Sequence, residues 1–315
     1  MILKRAKRLA ELGILGINQR NAEYISRVNA RKLYPLVDNK LATKKLALQS
    51  GVAVPDLYEL IEFQAQITKV HEKLANYNEF VVKPACGGGG EGIIVIAGRN
   101  RDKYRKSSGL MISREELNHH ISMILGGVYS LGGHPDNALI EYKVKFDPVF
   151  EHISYLGVPD VRIIIYMGVP VMAMIRLPTR ASDGKANLHQ GAIGAGIDIA
   201  SGKTVSAVWY NSVINQHPDT GHDVVGVTIP HWDRLLEIAA SSYEMTGLGY
   251  IGVDIVLDCD RGPLLLELNA RPGLNIQIAN KAGLLPRLNT IDKGRAELNS
   301  LAERINFAKK SFATE

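Results

Sequence analysis

The sequence predicts an α+β protein of two lobes, and three observations lead there. Segments rich in β-branched and aromatic residues occur as neighbouring pairs joined by short turn signals, as in hairpins. Helical patterns sit between those pairs and do not alternate with single strands, as a parallel sheet would require. The chain has 315 residues, 46% hydrophobic and 22% charged, which is a globular balance with length enough for a substantial core and two lobes.

Residues 1–37 form a basic, helix-leaning arm. Its stretch MILKRAKRLAELGILGINQR has too short and too interrupted an apolar segment for a signal peptide, and no run in the chain reaches the length of a membrane span. In LVDNKLATKKLALQSGVAVP, Leu41, Leu46 and Leu48 mark a short helix ended by Gly51, with VAVP as a strand. Residues 61–76 are expected to be helical, and EFVVKP is a strand halted by Pro84. GIIVIAG resumes the strand after CGGGGE, so the unit is a β-hairpin around a glycine-rich turn. RNRDKYRKSSG is expected as a polar loop, and Ser113 with Glu116 forms a capping box for a helix starting near Arg114. ALIEYKV is a strand, and DVRIIIYMGVPVMAMIRLP is two strands around Gly168. Residues 181–222, rich in Gly, Asn, Asp and His, show too few periodic apolar positions for a regular element. HWDRLLEIAASSYEMTG is a helix, and YIGVDIVLD and GPLLLELNA pair around the turn DCDRG.

The net charge of +5 suits a polyanionic ligand such as a nucleotide, or an acidic substrate. Aromatic residues at 6% and the lack of a continuous basic stripe exclude a dedicated nucleic-acid binder. Two cysteines, Cys86 and Cys259, can build neither a disulfide framework nor a zinc cluster, so a reducing, cytoplasmic setting is expected.

Three features carry chemistry. Lys40 in DNK is followed one helical turn later by Lys44 on the same face. Lys83 precedes the loop Gly87–Gly92, whose unobstructed N–H groups can cradle phosphate oxygens. That loop matches neither G-x-x-x-x-G-K-[ST] nor a helix-opening G-x-G-x-x-G, so a P-loop and a Rossmann site are both disfavoured. Finally, strand alternation puts Glu267 and Asn269 on one face, and a favourable hairpin register would set Asp254 opposite the glutamate. Two carboxylates and an amide oxygen form an all-oxygen set suited to Mg²⁺. Singly, these are a floppy turn, solvated lysines and strand-end acids; it is their order and β context that point to a nucleotide site.

The combination DNK, FVVKP, the glycine loop, LIEYK, DVRIII, AMIR, ANLHQGA, GVDIVLD and LLELNARPGL resembles the ATP-grasp superfamily, and within it the α-L-glutamate ligase-like proteins. The resemblance covers roughly residues 30–285. It implies two α+β lobes holding ATP between them, lobe 1 over 38–139 with the flap and lobe 2 over 140–290 with the metal site, then a C-terminal helix over 291–315. It also implies roles. Lys40 and Lys83 contact the phosphates under a flap that includes Gly88, Gly89, Gly90 and Gly92. Glu141, Tyr142 and Val144 form the adenine hinge, and Glu151 or Asp147 holds the ribose. Arg162 and Arg176 face the reacting centre, joined there catalytically by Lys83. Asn187 and His189 orient substrate or phosphate. Asp254, Glu267 and Asn269 bind Mg²⁺ (two ions, with Mn²⁺ as the alternative), and Arg271 is a weaker candidate for a substrate carboxylate. Cys86 is read as a small residue beside the loop, not a nucleophile.

The implied reaction joins an amine, glutamate by analogy, to an acidic peptide or small-molecule carboxylate through an acylphosphate. An ATP-grasp kinase and a non-catalytic ATP-binding sensor or scaffold are the alternatives. About 37 residues precede Asp38, too few for the N-terminal α/β domain many ATP-grasp enzymes carry, so substrate recognition is expected from the arm, from residues 181–222 or from another subunit in a homo-oligomer.

Overall fold

The computed structural model describes residues 2–130, 132–294 and 298–314, residues 2–6 by backbone alone. Chain contacts divide it into a smaller unit, Asn39–Lys44 with Val54–Lys145, and a larger one, Met1–Asp38 with Lys45–Ala53 and Phe146–Glu315.

The smaller unit is one antiparallel sheet backed by a helix. Its strands are β1 (Leu57–Ile61), β2 (Phe80–Pro84), β3 (Ile94–Asn100), β4 (Lys103–Lys106), β5 (Met111–Ile112) and β6 (Ala138–Glu141), in the order β1-β6-β2-β3-β4-β5. The hairpin expected around the glycines forms, with Val82 opposite Ile94 and Phe80 opposite Ile96. Inward-facing Phe80, Val82, Ile96 and Ile140 meet Leu117, Ile121 and Ile124 of a helix over Arg114–Leu125, a core of its own. That helix starts as expected: the Ser113 hydroxyl accepts from Glu116 N (3.2 Å) while the Glu116 carboxylate accepts from Ser113 N (2.7 Å).

Several expectations need correction here. VAVP is not a strand; β1 begins only at Leu57, after Pro55, which has no N–H to give a ladder. Residues 61–76 hold two short helices, Gln64–Ile67 and Val70–Lys73, not one. RNRDKYRKSSG is largely strand, because Tyr104, among basic neighbours, turns inward, stacks edge-on against Phe80 and hydrogen-bonds His71 Nδ1 at 2.8 Å. ALIEYKV keeps its ladder only as far as Glu141.

The larger unit holds β7 (Asp160–Tyr166), β8 (Val169–Leu177), β9 (Ile193–Ile197), β10 (Thr204–Trp209), β11 (Ser212–Ile214), β12 (Tyr250–Asp258) and β13 (Gly262–Asn269), all antiparallel, in the order β11-β10-β9-β8-β7-β12-β13. A helix over Trp232–Thr246 packs on β7, β8, β12 and β13. The segment 181–222 thus supplies three strands where none was expected. Its β9 reads Ile-Gly-Ala-Gly-Ile, with glycine at Gly196 because a Cβ there would lie 2.6 Å from the Ala279 carbonyl of the backing helix Ile276–Ala279.

The basic arm is integrated into the larger unit. Asn29 pairs with the Tyr250 backbone in both directions (2.7 and 2.8 Å), Leu15 does the same with the Gln277 amide, and Arg20 donates to the Pro272 carbonyl at 2.6 Å. The expected helix over 291–315 is two helices, Leu285–Gly294 and Leu301–Phe312, the second opened by a Ser300–Glu303 capping box; residues 295–297 and 315 lie outside the described residues. Among the described residues no helix is long and apolar enough to cross a membrane.

Candidate active site

The sequence-predicted residues gather chiefly in two clusters, one inside each unit. In the smaller unit, Asn39 caps the helix Lys40–Gln49, its Oδ1 accepting from Leu41 N (2.9 Å) and Ala42 N (3.1 Å). This aims the first turn at the glycine loop: Lys40 N donates to the Ala85 carbonyl at 2.8 Å, and Lys40 Nζ to the Gly87 carbonyl. One turn on, Lys44 is buried. Its Nζ donates to the Pro55 carbonyl and stands 3.1 Å from Glu141 Oε2. Lys83 enters from β2 and pairs with the other oxygen, Glu141 Oε1. Lys44, Lys83 and Glu141 are 6%, 7% and 3% exposed, so one buried carboxylate lies between two buried ammonium groups. Burial pushes the Lys44 ammonium below its ordinary pKa, the Glu141 charge opposing that shift and Lys83 adding to it. The sequence reading placed Glu141 at the adenine edge; here both its oxygens face lysines. Next along the chain, Tyr142 N donates to the Asp56 carbonyl at 2.9 Å and Val144 is buried.

The loop above Lys83 has Gly89, Gly90 and Gly92 at φ of +64°, +81° and +72°, a region side chains other than glycine's rarely occupy. Its far end is fixed: a Cβ on Gly92 would lie 2.6 Å from the Tyr129 ring, and His120 Nε2 donates to the Gly92 carbonyl at 2.8 Å. Gly88, in contrast, has nothing within 4 Å of its Cβ position. Cys86 N donates to Asp136 Oδ2 at 2.9 Å, and burial together with that carboxylate pushes the Cys86 thiol up to about 11. A thiol so held stays protonated at neutral pH and is no nucleophile.

In the larger unit, a polar patch runs across four strands. Asp160 is paired with Arg176, Arg162 with Asp254, and Asp254 with Glu267, each across a strand boundary, so their side chains share one face. Counting back from the DCDRG turn, Asp258 faces Gly262, Leu257 faces Pro263, Val256 faces Leu264 and Ile255 faces Leu265. A regular ladder would then set Asp254 against Leu266. A bulge lets Leu266 slip, and Asp254 meets Glu267 instead.

Arg162 grips Asp254 with two parallel bonds, Nε to Oδ1 (2.7 Å) and NH2 to Oδ2 (2.6 Å). Arg176 does the same to Asp160 and also reaches Asp254 Oδ2 at 2.9 Å; Asn269 Nδ2 adds a longer contact at 3.3 Å. Burial alone would raise the Asp254 pKa, but the two guanidiniums hold it below the usual carboxylate range. Asp160, buried and near Asp254, is pushed upward in spite of Arg176.

Four N–H donors take up the lone pairs of Asp254; Glu267 and the Asn269 side-chain oxygen are hard oxygen donors of the kind Mg²⁺ takes. Among the described residues, the group of three close metal-capable side chains is Asp258, Cys259 and Asp260, with ligand atoms within 4.8 Å of one another. It sits at the β12–β13 turn, where Asp258 Oδ1 accepts from Asp260 N and Arg261 N, both at 3.0 Å, a turn-forming arrangement.

The other predicted residues stand apart. Asn187 caps the short 3₁₀ turn Leu188–Gln190, accepting from His189 N at 3.0 Å, and the His189 side chain is exposed. Asp147 caps the turn Pro148–Ile153 through Val149 N (2.9 Å), while Glu151 on that turn is exposed. Arg271 lies over the Tyr34 ring at 5.0 Å. The sequence reading did not select Asp160, whose signal was its i, i+2 spacing to Arg162 on a strand. It noted Lys44 without assigning it a role, although the K-x-x-x-K spacing put it on the Lys40 face.

Two antiparallel α+β units, one with buried lysines behind a glycine-rich hairpin, the other with an acidic and amide set on a sheet, are the parts of an ATP-grasp protein. Residues 19–293 match the family described as sugar-transfer associated ATP-grasp, and the chain belongs to that family. The resemblance read from the motifs is borne out at this level. A stretch of 126 residues is 29% identical to a probable alpha-L-glutamate ligase of Enterobacter sp. (strain 638), covering 40% of this chain and 31% of that one. The match therefore spans about a third of the curated relative's length. Among solved structures, the chain is similar to the ATP-grasp ligase PsnB complexed with minimal precursor (14% identity, TM-score 0.46, 85% of this chain and 63% of that one). It is also similar to the D-alanine–D-alanine ligase from Bacillus anthracis complexed with ATP (13% identity, TM-score 0.43, 88% and 66%).

Proposed function

We propose that this chain is an ATP- and Mg²⁺-dependent ligase that joins a carboxylate to an amine. The observation that carries the reading is the buried Lys44–Glu141–Lys83 cluster behind the glycine-rich hairpin, in a member of the ATP-grasp family. Two ammonium groups on one carboxylate leave a positive charge that an anionic phosphate chain would balance. Lys40 and Lys83 serve the phosphates, with Gly88–Gly92 as the covering flap, and the backbone of Tyr142 to Val144 takes the adenine edge. Glu151, exposed beside the self-capping Asp147, serves the ribose. Asn187 and His189 orient the substrate.

Bound Mg²⁺ would neutralise charge on the phosphate chain; Glu267 and the Asn269 oxygen would hold it, with Asp254 locking the two arginines in place. Arg176 and Arg162 present guanidinium edges on the same sheet face, suited to an oxyanion. A substrate carboxylate oxygen attacks the γ-phosphorus and ADP leaves. An amine then attacks the acyl carbon, inorganic phosphate leaves with the C–O bond pair, and the amine nitrogen gives up a proton to that phosphate as the amide forms. Phosphoryl transfer of this kind needs positioning and charge neutralisation more than a protein nucleophile, in keeping with the protonated Cys86 thiol.

The test is ADP release from Mg-ATP across amino acids, acidic peptides and carboxylated or amino sugars, run beside Glu267→Gln. Turnover that requires one amine and one carboxylate, and is lost in the variant, supports the ligase and names its substrates. A phosphorylated product without an amide would make the protein a kinase.

A further inference from the structure

We propose that Lys44 is a positioning residue for nucleotide binding: it neutralises Glu141, so that Lys83 can leave that carboxylate for a phosphate. The inference rests on the reading of Lys83 as a phosphate ligand.

The asymmetry between the two lysines carries it. All three groups are more than nine-tenths buried, so the Glu141 carboxylate can give up one ammonium partner but not both without becoming an uncompensated buried charge. Lys44 is committed twice, to Glu141 Oε2 at 3.1 Å and to the Pro55 carbonyl, and its helix is fixed by the Asn39 cap. Its departure would strip a partner from both. Lys83 pairs with Glu141 Oε1 from the next-to-last residue of β2, just before the glycine loop. When it swings toward a phosphate, Glu141 keeps Lys44 and stays neutralised. The pair Lys44–Glu141 is therefore the resting place that makes Lys83 free to exchange one anion for another. Without Lys44, Glu141 and the phosphate would compete for a single ammonium group. Lys44 need not touch the nucleotide.

The experiment measures Mg-ATP affinity by calorimetry for the wild type, Lys44→Met, Glu141→Gln and the double variant, with the melting temperature of each. The expected result is a loss of roughly tenfold or more in the affinity of folded Lys44→Met, and a double variant within about twofold of Glu141→Gln, because with no charge on residue 141 Lys44 has nothing to neutralise. Two results would overturn the proposal. One is Lys44→Met binding like the wild type with only its melting temperature lowered, which is a purely structural role. The other is a double variant much weaker than Glu141→Gln, which makes Lys44 itself a phosphate ligand. Should Lys44→Met not fold, the comparison of Glu141→Gln with the double variant decides alone. A wild type that binds no ATP overturns the underlying reading of the site instead, so the two failures are distinguishable.

Discussion

Asp254 ties together two arginines and one strand pair, and its removal should be costly. Asp254→Ala would leave two partly buried guanidiniums, each side chain 13% exposed, short of an acceptor, and a loss of about 3 kcal/mol, the lower end of the range for breaking a buried pair, is expected in denaturant titration. Acid should act on the same bonds. Because the folded-state pKa of Asp254 lies below its unfolded value, its contribution is complete above about pH 4 and disappears as the pH falls toward 2. Stability followed from pH 5 downward should show that loss, and Asp254→Asn should lack it. The two thiols offer a contrast of the same scale. Cys259 is exposed, while Cys86, with its pKa pushed up to about 11, holds on the order of 0.1% thiolate at pH 8. Iodoacetamide at pH 8 should therefore modify Cys259 and spare Cys86, as peptide mass mapping would read; equal labelling would refute the assigned environment.

At the scale of elements, the glycine loop is a strap with one fixed end. Gly92→Ala would force a side chain into left-handed backbone against the Tyr129 ring, and a loss of about 1–3 kcal/mol is expected, with Gly88→Ala close to neutral for stability. Thermal melts of the two variants check this. The sequence made such hairpins legible because their periodicity and turns are local: the strands around Gly168, the capping box at Ser113 and the helix from Trp232 all follow from spacings within a few residues. What it hid depended on distant partners. Gly194 and Gly196 in β9 look like loop residues until a helix about 80 residues later is seen lying against them. Tyr104 reads as one aromatic in a basic loop until Phe80 supplies its partner. The site divides in the same way. The residue type of Lys83 and the shared face of Glu267 and Asn269 were readable, whereas the double pairing of Glu141 and the saturation of Asp254 belong to the tertiary structure.

At the scale of the whole molecule, each unit has its own buried core, so damage to one should be felt locally. Leu117→Ala, in the core of the smaller unit, should cost about 2–5 kcal/mol. Hydrogen exchange should then rise across β2, β3 and β6 while β7 and β12 keep their protection; loss of protection in both together would show one cooperative block. The larger unit's polar face also depends on a single slack link. Leu266 is one residue more than the ladder needs between the DCDRG turn and Glu267. Removing it would leave a regular hairpin with Asp254 still facing Glu267, and a turn shortened by one residue could in turn be absorbed by shifting the slack. Deletion of one leucine from the run Leu264–Leu266, which is the same change whichever of the three is removed, should therefore be far better tolerated than deletion of Leu268, which gives the hairpin a built-in adjustment by which turn length can drift in descendants of this chain while the acidic pair stays in register.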